Sequence, residues 1–198
     1  MSTLPTIYLA RHGETEWALN GRHTGRTDIP LTAKGEADAA KLGTRLRGIT
    51  FSRVFSSPLI RAKRTAELAG FTPELDPELM EWHYGAYEGL RSVEIRQNRP
   101  DWDLFHDGCP GGESVSDMTN RGDRVVAKLR GLTGNVLVFA HGHVLRVLAA
   151  RWVVKPAILG RALYLSTATL SILGFDHHTM NDPVIRLWND DRHLRTES

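Results

Sequence analysis

Histidine is among the few side chains that attack phosphorus and hold it covalently. His12 stands in a run, Arg11-His12-Gly13-Glu14, that suits that task. The segment before it, Thr6-Ile7-Tyr8-Leu9-Ala10, is short, apolar and partly β-branched, and reads as a buried strand. A strand running straight into Arg-His-Gly holds the imidazole at the edge of a sheet, and Gly13 lets a ligand approach the backbone. Such a histidine needs an acceptor on its other ring nitrogen, which selects the tautomer. It also needs positive charge around the phosphoryl group. Arg11, Arg61 (in Ser57-Pro58-Leu59-Ile60-Arg61-Ala62) and His141 are the natural clamp, because a guanidinium fork matches phosphate oxygens two at a time. Phosphoryl transfer asks chiefly for positioning and positive charge. The leaving oxygen needs a proton, and Glu81, in Glu81-Trp82-His83-Tyr84-Gly85, is the candidate donor. A carboxyl between aromatics in a partly dry pocket keeps its proton more readily and serves as general acid. Taken singly, each residue has a plainer reading: a hydrogen-bonded histidine, a solvated arginine, a surface carboxylate. Their shared place at strand ends joins them.

The elements that must hold these groups follow from the pattern. Thr32 is an N-cap for a helix with Ala37, Ala40, Leu42 and Leu46 on its apolar face. Arg53–Ser56 is a second strand, followed by a helix over Leu59–Ala69 with Pro58 ahead of its first turn. Phe71–Gly112, rich in Pro, Gly and aromatics, is expected to be irregular with short helices. Glu113–Leu132 is a longer helix with Met118, Val125, Val126 and Leu129 inward. Asn135–Ala140 is the clearest buried strand and ends at His141-Gly142-His143, with Val144–Trp152 helical after it. Thr169–Phe175 and Val184–Trp188 form a late pair of neighbouring strands. Strands alternating with helices predict a three-layer α/β/α sandwich on a mostly parallel sheet. In such folds ligands sit beyond the carboxyl ends of strands, where Arg11-His12, Ser56-Ser57 and His141 fall.

The 198 residues suffice for one substantial core, so residues 1–198 read as a single domain. A net charge of +2, with no Lys/Arg block and no aromatics interleaved with bases, argues against nucleic acid as the main partner. A few clustered arginines still suffice for a small anion. One cysteine, Cys109, excludes an intrachain disulfide. The start, Met1-Ser2-Thr3-Leu4-Pro5, has neither a basic segment nor an apolar run that would make a leader. The most apolar region, Asn135–Phe175, is interrupted by His141, His143, Arg146, Arg151, Lys155 and Arg161, which argues against a membrane span. The expectation is a cytoplasmic protein with no membrane partner.

Six separated motifs occur in order. They are Arg11-His12-Gly13-Glu14-Thr15, Arg22-His23-Thr24-Gly25 with Asp28 to Gly35, Ser56-Ser57-Pro58 with Arg61 and Thr65, Glu81 with Tyr84-Gly85 and Glu88-Gly89, Gly112-Glu113-Ser114, and His141-Gly142. Together, over roughly residues 6 to 150, they resemble the histidine phosphatase superfamily (phosphoglycerate mutase-like). The resemblance implies a phosphorylated His12, a phosphate pocket of Arg11, Arg61 and His141, and Glu81 as proton donor. It implies Thr24, Gly25, Tyr84, Gly142 and Arg91 as substrate-binding residues, no cofactor and no metal, and a homodimer. Classical acid phosphatases of the superfamily place an aspartate after the second histidine; here Gly142-His143 follows, which favours Glu81. The stretch after Tyr84-Gly85 keeps Arg91 and Arg96 but lacks the paired arginines of the mutases, and this favours a phosphatase. Trp102 to Ser114 and Phe139 to Arg146 are similar to actinobacterial acid phosphatases and to fungal sedoheptulose-bisphosphatase-like enzymes.

Other residues keep two readings. Thr24 and Gly25 present donors to phosphate or form a plain turn, and Glu14 orients the His12 loop or lies on the surface. Tyr84 and Trp102 wall a pocket or pack in the core. His106, His143 and Arg146 add charge at a pocket rim or are structural. Ser114 helps hold the pocket or caps a helix. Cys109 has no base arranged for it, which argues against a nucleophilic thiol. The expected activity is hydrolysis of a small phosphate monoester through phospho-His12. The alternatives are a phosphoglycerate mutase, a sugar-bisphosphate phosphatase of narrow specificity and a catalytically poor phospholigand binder.

Overall fold

The computed structural model describes residues 4–195. The reading of the chain start for a leader falls partly on Met1, Ser2 and Thr3, which lie outside the described residues. Six strands form one sheet in the order β3-β2-β4-β1-β5-β6. They are β1 (Thr6–Arg11), β2 (Arg53–Ser56), β3 (Glu74–Leu75), β4 (Asn135–Ala140), β5 (Leu170–Phe175) and β6 (Pro183–Asp190). β1, β2, β3 and β4 run parallel, while β5 is antiparallel to both β1 and β6. The central strand β4 carries Val136, Leu137, Val138 and Phe139, all fully buried, as a strand covered on both faces requires.

Among the described residues seven α-helices accompany the sheet: α1 (Glu16–Leu19), α2 (Ala33–Leu46), α3 (Ile60–Leu68), α4 (Ser92–Asn98), α5 (Leu104–Asp107), α6 (Val115–Arg130) and α7 (Gly142–Trp152). The period-2 alternation of β4 sorts its side chains between two cores. Leu137 and Phe139 pack with Leu42 and Leu46 of α2 and Ala66 of α3. Val136 and Val138 pack with Met118, Val125 and Leu129 of α6 and with Val144 and Leu148 of α7. Helices therefore cover both faces, and the three-layer, mostly parallel arrangement expected from the sequence is the one observed.

The helix bounds differ where capping decides them. Ser114 caps α6, its Oγ accepting from the Asp117 amide while the Asp117 carboxylate accepts the Ser114 amide, so Glu113 stays outside the helix. The apolar face of α2 is rotated from the expected one. Ala37 and Ala40 are exposed, and Gly35, Asp38 and Ala39 face inward with Leu42 and Leu46. Asp38 tolerates that position because Lys34 pairs with it one turn earlier. Phe71–Gly112 contains α4, α5, two short 3-10 turns and the two-residue edge strand β3, which propensity did not reveal. Among the described residues, no helix is long and apolar enough to cross a membrane.

One contact braces the loop after β1. A Cβ on Gly13 would lie 2.4 Å from the Gly35 carbonyl oxygen, and a Cβ on Gly35 would lie 2.2 Å from that of Glu14. Two backbones thus meet at a distance only glycine permits. Gly13 serves this packing of α2 on the loop, where the sequence suggested ligand approach. Thr32 strengthens it: its hydroxyl donates to Glu14 Oε1 at 2.9 Å while its amide donates to the Glu14 carbonyl. Gly35→Ala should therefore cost about 1–3 kcal/mol of stability, read as a lowered urea midpoint with an unchanged slope. An unshifted midpoint would mean that the loop yields without cost.

Candidate active site

His12 is the first residue beyond β1, and its amide donates to the Ala140 carbonyl at the end of β4. The side chain is nearly buried, at 4% exposure. Nδ1 lies 2.7 Å from the Gly13 carbonyl oxygen, which only accepts, so the ring proton resides on Nδ1. Nε2 makes no hydrogen bond among the described residues and keeps its lone pair. Burial, then the charges of Arg61 and Arg11, hold the His12 pKa well below the usual imidazole range, against a smaller opposing effect of the Gly13 bond. The ring is neutral at physiological pH.

His12 lines a cavity of about 180 Å³ together with Arg11, Arg22, His23, Thr24, Glu81, Tyr84, Gly142 and His143. Arg11 is aimed by one bond, Nη1 to the Leu165 carbonyl at 2.5 Å, while its buried Nε has no partner. A buried, unpartnered guanidinium N–H beside a neutral imidazole is a place for an anion. Gly142 sits against this guanidinium: a Cβ there would lie 3.4 Å from Arg11 Cζ.

Glu81 reaches the start of α7. Its carboxylate accepts from the amides of Trp82 (2.9 Å), His143 (3.0 Å) and Val144 (2.9 Å), and the last two are orphan donors of the helix's first turn. Arg121 of α6 holds the segment that carries it, donating to the carbonyls of Glu78 and Met80 and pairing with Glu113. The Tyr84 hydroxyl lies 2.6 Å from His143 Nδ1. Burial, reinforced by Glu81, pushes the phenol's pKa well up, and burial with the charge of Arg146 pushes the His143 imidazole well down. The phenol therefore donates to Nδ1, and the ring proton of His143 sits on Nε2.

The expected clamp is brought together only in part. Arg61 is fully buried behind the cavity and commits four of its five N–H bonds to protein. Nε donates to His141 Nδ1 at 3.1 Å, Nη1 to the Thr27 carbonyl, and Nη2 to the carbonyls of Thr24 and Gly25. His141, an acceptor at Nδ1, donates from Nε2 to Ser57 Oγ at 2.8 Å. Its ring centroid is 5.1 Å from that of His12. In this arrangement Arg61 and His141 brace the cavity wall, and Arg11 alone of the three lines the cavity.

Thr24 lines the cavity, though its hydroxyl turns to the Arg22 carbonyl. The Gly25 amide donates to Glu88, with the Thr27 amide beside it, so Gly25 is part of a braced turn and no donor to substrate. Its lack of a side chain is required there, since a Cβ would lie 2.6 Å from the Trp82 carbonyl oxygen. Arg91 is not brought to the cavity: its guanidinium pairs with Glu94 in the first turn of α4. Arg22 and His23, quoted in a motif but given no role from the sequence, also line the cavity. The signal was their position in the same loop, immediately before Thr24. Cys109 is buried, and burial pushes its thiol up to about 12, so no thiolate is available. Among the described residues no three His, Cys, Asp or Glu side chains converge as a metal site.

A neutral histidine just beyond the end of a parallel strand, next to an arginine whose buried Nε has no partner, is an arrangement suited to a phosphate ester. The sequence profile of the histidine phosphatase superfamily (branch 1) matches residues 7–191, and the chain belongs to that superfamily. It is 42% identical over 176 residues to an acid phosphatase of Mycobacterium tuberculosis, covering 86% of this chain and 87% of the relative. It is 33% identical over 185 residues to the sedoheptulose 1,7-bisphosphatase of Saccharomyces cerevisiae, covering 76% and 68%. The solved structure of a Mycobacterium tuberculosis open reading frame superposes with a TM-score of 0.87 at 37% identity, covering 93% of this chain and 96% of that one. Family and relatives together make the chain a histidine phosphatase enzyme.

The buried histidines set a pH dependence of stability. His12, His141 and His143 are held well below the imidazole value of 6.5, chiefly by burial, and His23 is lowered to about 4. In the unfolded chain each takes a proton near pH 6.5; in the folded chain each takes it only at lower pH. Between these limits the unfolded state binds more protons, so stability falls as pH drops below about 6.5. The urea midpoint should therefore decrease from pH 7.5 to pH 5 with an unchanged slope. A flat midpoint across that range would contradict the neutral-histidine reading.

Proposed function

We propose that the protein is a phosphomonoesterase that hydrolyses small phosphate esters through a phosphohistidine on His12. The observation that carries the proposal is the fixed tautomer of His12. With Nδ1–H held by the Gly13 carbonyl, the neutral ring offers Nε2 to the cavity that Arg11 also lines.

In the first step Nε2 attacks phosphorus and the P–O bond to the alcohol breaks. Arg11 neutralises charge on the transferring oxygens, and protonated Glu81 gives its proton to the leaving oxygen. In the second step water attacks phospho-His12, Glu81 takes its proton, the P–N bond breaks and inorganic phosphate leaves. The free imidazole and the protonated carboxyl are restored. Glu81 is placed for both half-reactions because it lines the cavity, and its hydrogen bonds from three backbone amides fix its position there. The relatives' names, an acid phosphatase and a sugar bisphosphatase, support water as acceptor. The lone thiol Cys109 fits a reducing compartment, and a cytoplasmic site of action is part of the proposal.

His12→Ala should lower phosphate release from 4-nitrophenyl phosphate by at least about a thousandfold. Acid-labile, base-stable phosphate should be trapped on the wild-type chain and be absent from the variant. Release at the wild-type rate in His12→Ala would overturn the nucleophile assignment.

A further inference from the structure

The Arg11 guanidinium hangs from one carbonyl among the described residues, that of Leu165. Leu165 lies in the segment 163–169, which joins the 3-10 turn Ala157–Ala162 to β5 and belongs to no helix or strand. The same segment grips the end of β1 twice more. The Ala168 amide donates to the His12 carbonyl at 3.0 Å, and the Thr169 carbonyl accepts the Arg11 amide at 3.3 Å. A segment with no ladder of its own must be held from outside if it is to fix a guanidinium.

β6 and the residues after it supply that hold. Trp188 Nε1 donates to the Tyr164 carbonyl at 2.6 Å, Asn189 Oδ1 accepts the Ser166 amide at 2.7 Å, and His193 Nε2 donates to the Ala168 carbonyl at 2.8 Å. A bulge brings the first two side chains to bear together. Leu170 pairs with Asp190 and Ile172 with Leu187, so β6 spends one residue more than β5 between these pairs. Asn189, within the bulge, has φ +56°, a left-handed conformation that asparagine tolerates better than most residues. Its amide is fixed on Ser171 Oγ at 3.0 Å, and the next residue, Asp190, pairs with Arg45 of α2 and with Arg192.

Trp188 and His193 hold the flanks of the segment, while Asn189 holds the peptide that matters. The Leu165 carbonyl and the Ser166 amide belong to one planar, trans peptide group, whose C=O and N–H point in opposite directions. Arg11 takes one edge of that plane and Asn189 the other. Release of the Ser166 amide frees the plane to turn, and with it the carbonyl that aims the guanidinium. The bond to the N–H also polarises the carbonyl towards the arginine.

We propose that Asn189 is a positioning residue for phosphoryl transfer, fixing Arg11 relative to His12 through the Leu165–Ser166 peptide. The inference rests on the phosphomonoesterase reading and extends it to the antiparallel edge of the sheet, since none of the residues that line the cavity comes from β5 or β6.

The test is the inhibition constant of orthovanadate, a mimic of five-coordinate phosphorus, against hydrolysis of 4-nitrophenyl phosphate. An inhibition constant is independent of the fraction of active enzyme, so partial misfolding of a variant does not mimic the result. Asn189→Gly tolerates the left-handed backbone and removes the acceptor, and should raise the constant about fivefold or more. Asn189→Asp keeps an acceptor and should stay within about twofold of wild type. In an Arg11→Lys background, which lacks the guanidinium, Asn189→Gly should change the constant by less than about twofold. An unchanged constant in Asn189→Gly would overturn the assignment and leave the phosphomonoesterase standing. Equal rises with and without Arg11 would do the same, because the effect would not pass through the guanidinium. So would an Asn189→Asp variant as impaired as the glycine one. Absence of phosphate release by the wild-type chain would remove both readings.

Discussion

Arg11 lies opposite Ala140 in the parallel ladder between β1 and β4, and His12 and His141 are the next residues out of the two strands. Parallel pairing is what puts two strand ends on the same edge of a sheet. The register then decides that two residues 129 positions apart in sequence leave that edge side by side. A shift of one residue would turn β1 over, sending Ile7 and Leu9 from the α6/α7 core into the α2/α3 core. The apolar contacts of both layers therefore hold the two histidine rings at one separation. Everything else at the site is arranged around that pair: Arg61 bonds to the second ring, and the loop of Thr24 to Thr27 hangs its carbonyls on Arg61.

The charges of the site work against their own burial. Arg11 and Arg61 are desolvated, and each is pulled below the usual guanidinium range, with Glu81 the largest opposing influence. The same two cations help to keep His12 neutral. A nucleophile must have a lone pair, and a phosphate pocket must be positive. Under the proposed mechanism one arrangement meets both requirements, because arginine stays charged under conditions that strip the proton from an imidazole.

Much of this was legible in the sequence because it lies on regular elements. The runs Ile7-Tyr8-Leu9 and Val136-Leu137-Val138-Phe139 can only be covered strands, and the residues that end them announce themselves. The phase of α2 differs from the expected one because Ala37, Ala39 and Ala40 carry almost no directional information, and a buried Asp38 is tolerated only in company with Lys34. The tasks of Arg61 and His141 were out of reach for another reason. Their hydrogen bonds end on the carbonyls of Thr24, Gly25 and Thr27 and on Ser57, and a backbone carbonyl leaves no mark in the pattern of side chains. Arg121, which gathers the carbonyls of Glu78 and Met80 to hold Glu81, escaped notice on the same ground.

The link between Tyr84 and His143 has an implication for how such a protein changes over generations. His143 stands in the wall between the His12 cavity and a second one lined by Arg96 and Arg161, and its tautomer is dictated by a phenol on a different segment of the chain. A substitution at Tyr84 would let the imidazole proton migrate to Nδ1 and so alter the donor pattern presented on both sides of that wall. The two positions cannot drift separately: the effect of replacing one depends on which residue occupies the other. Arg96 and Arg161 are free of this bond. Change in α4 and in the turn at 157–162 is therefore uncoupled from this pair, whereas change in the histidine wall is epistatic with Tyr84.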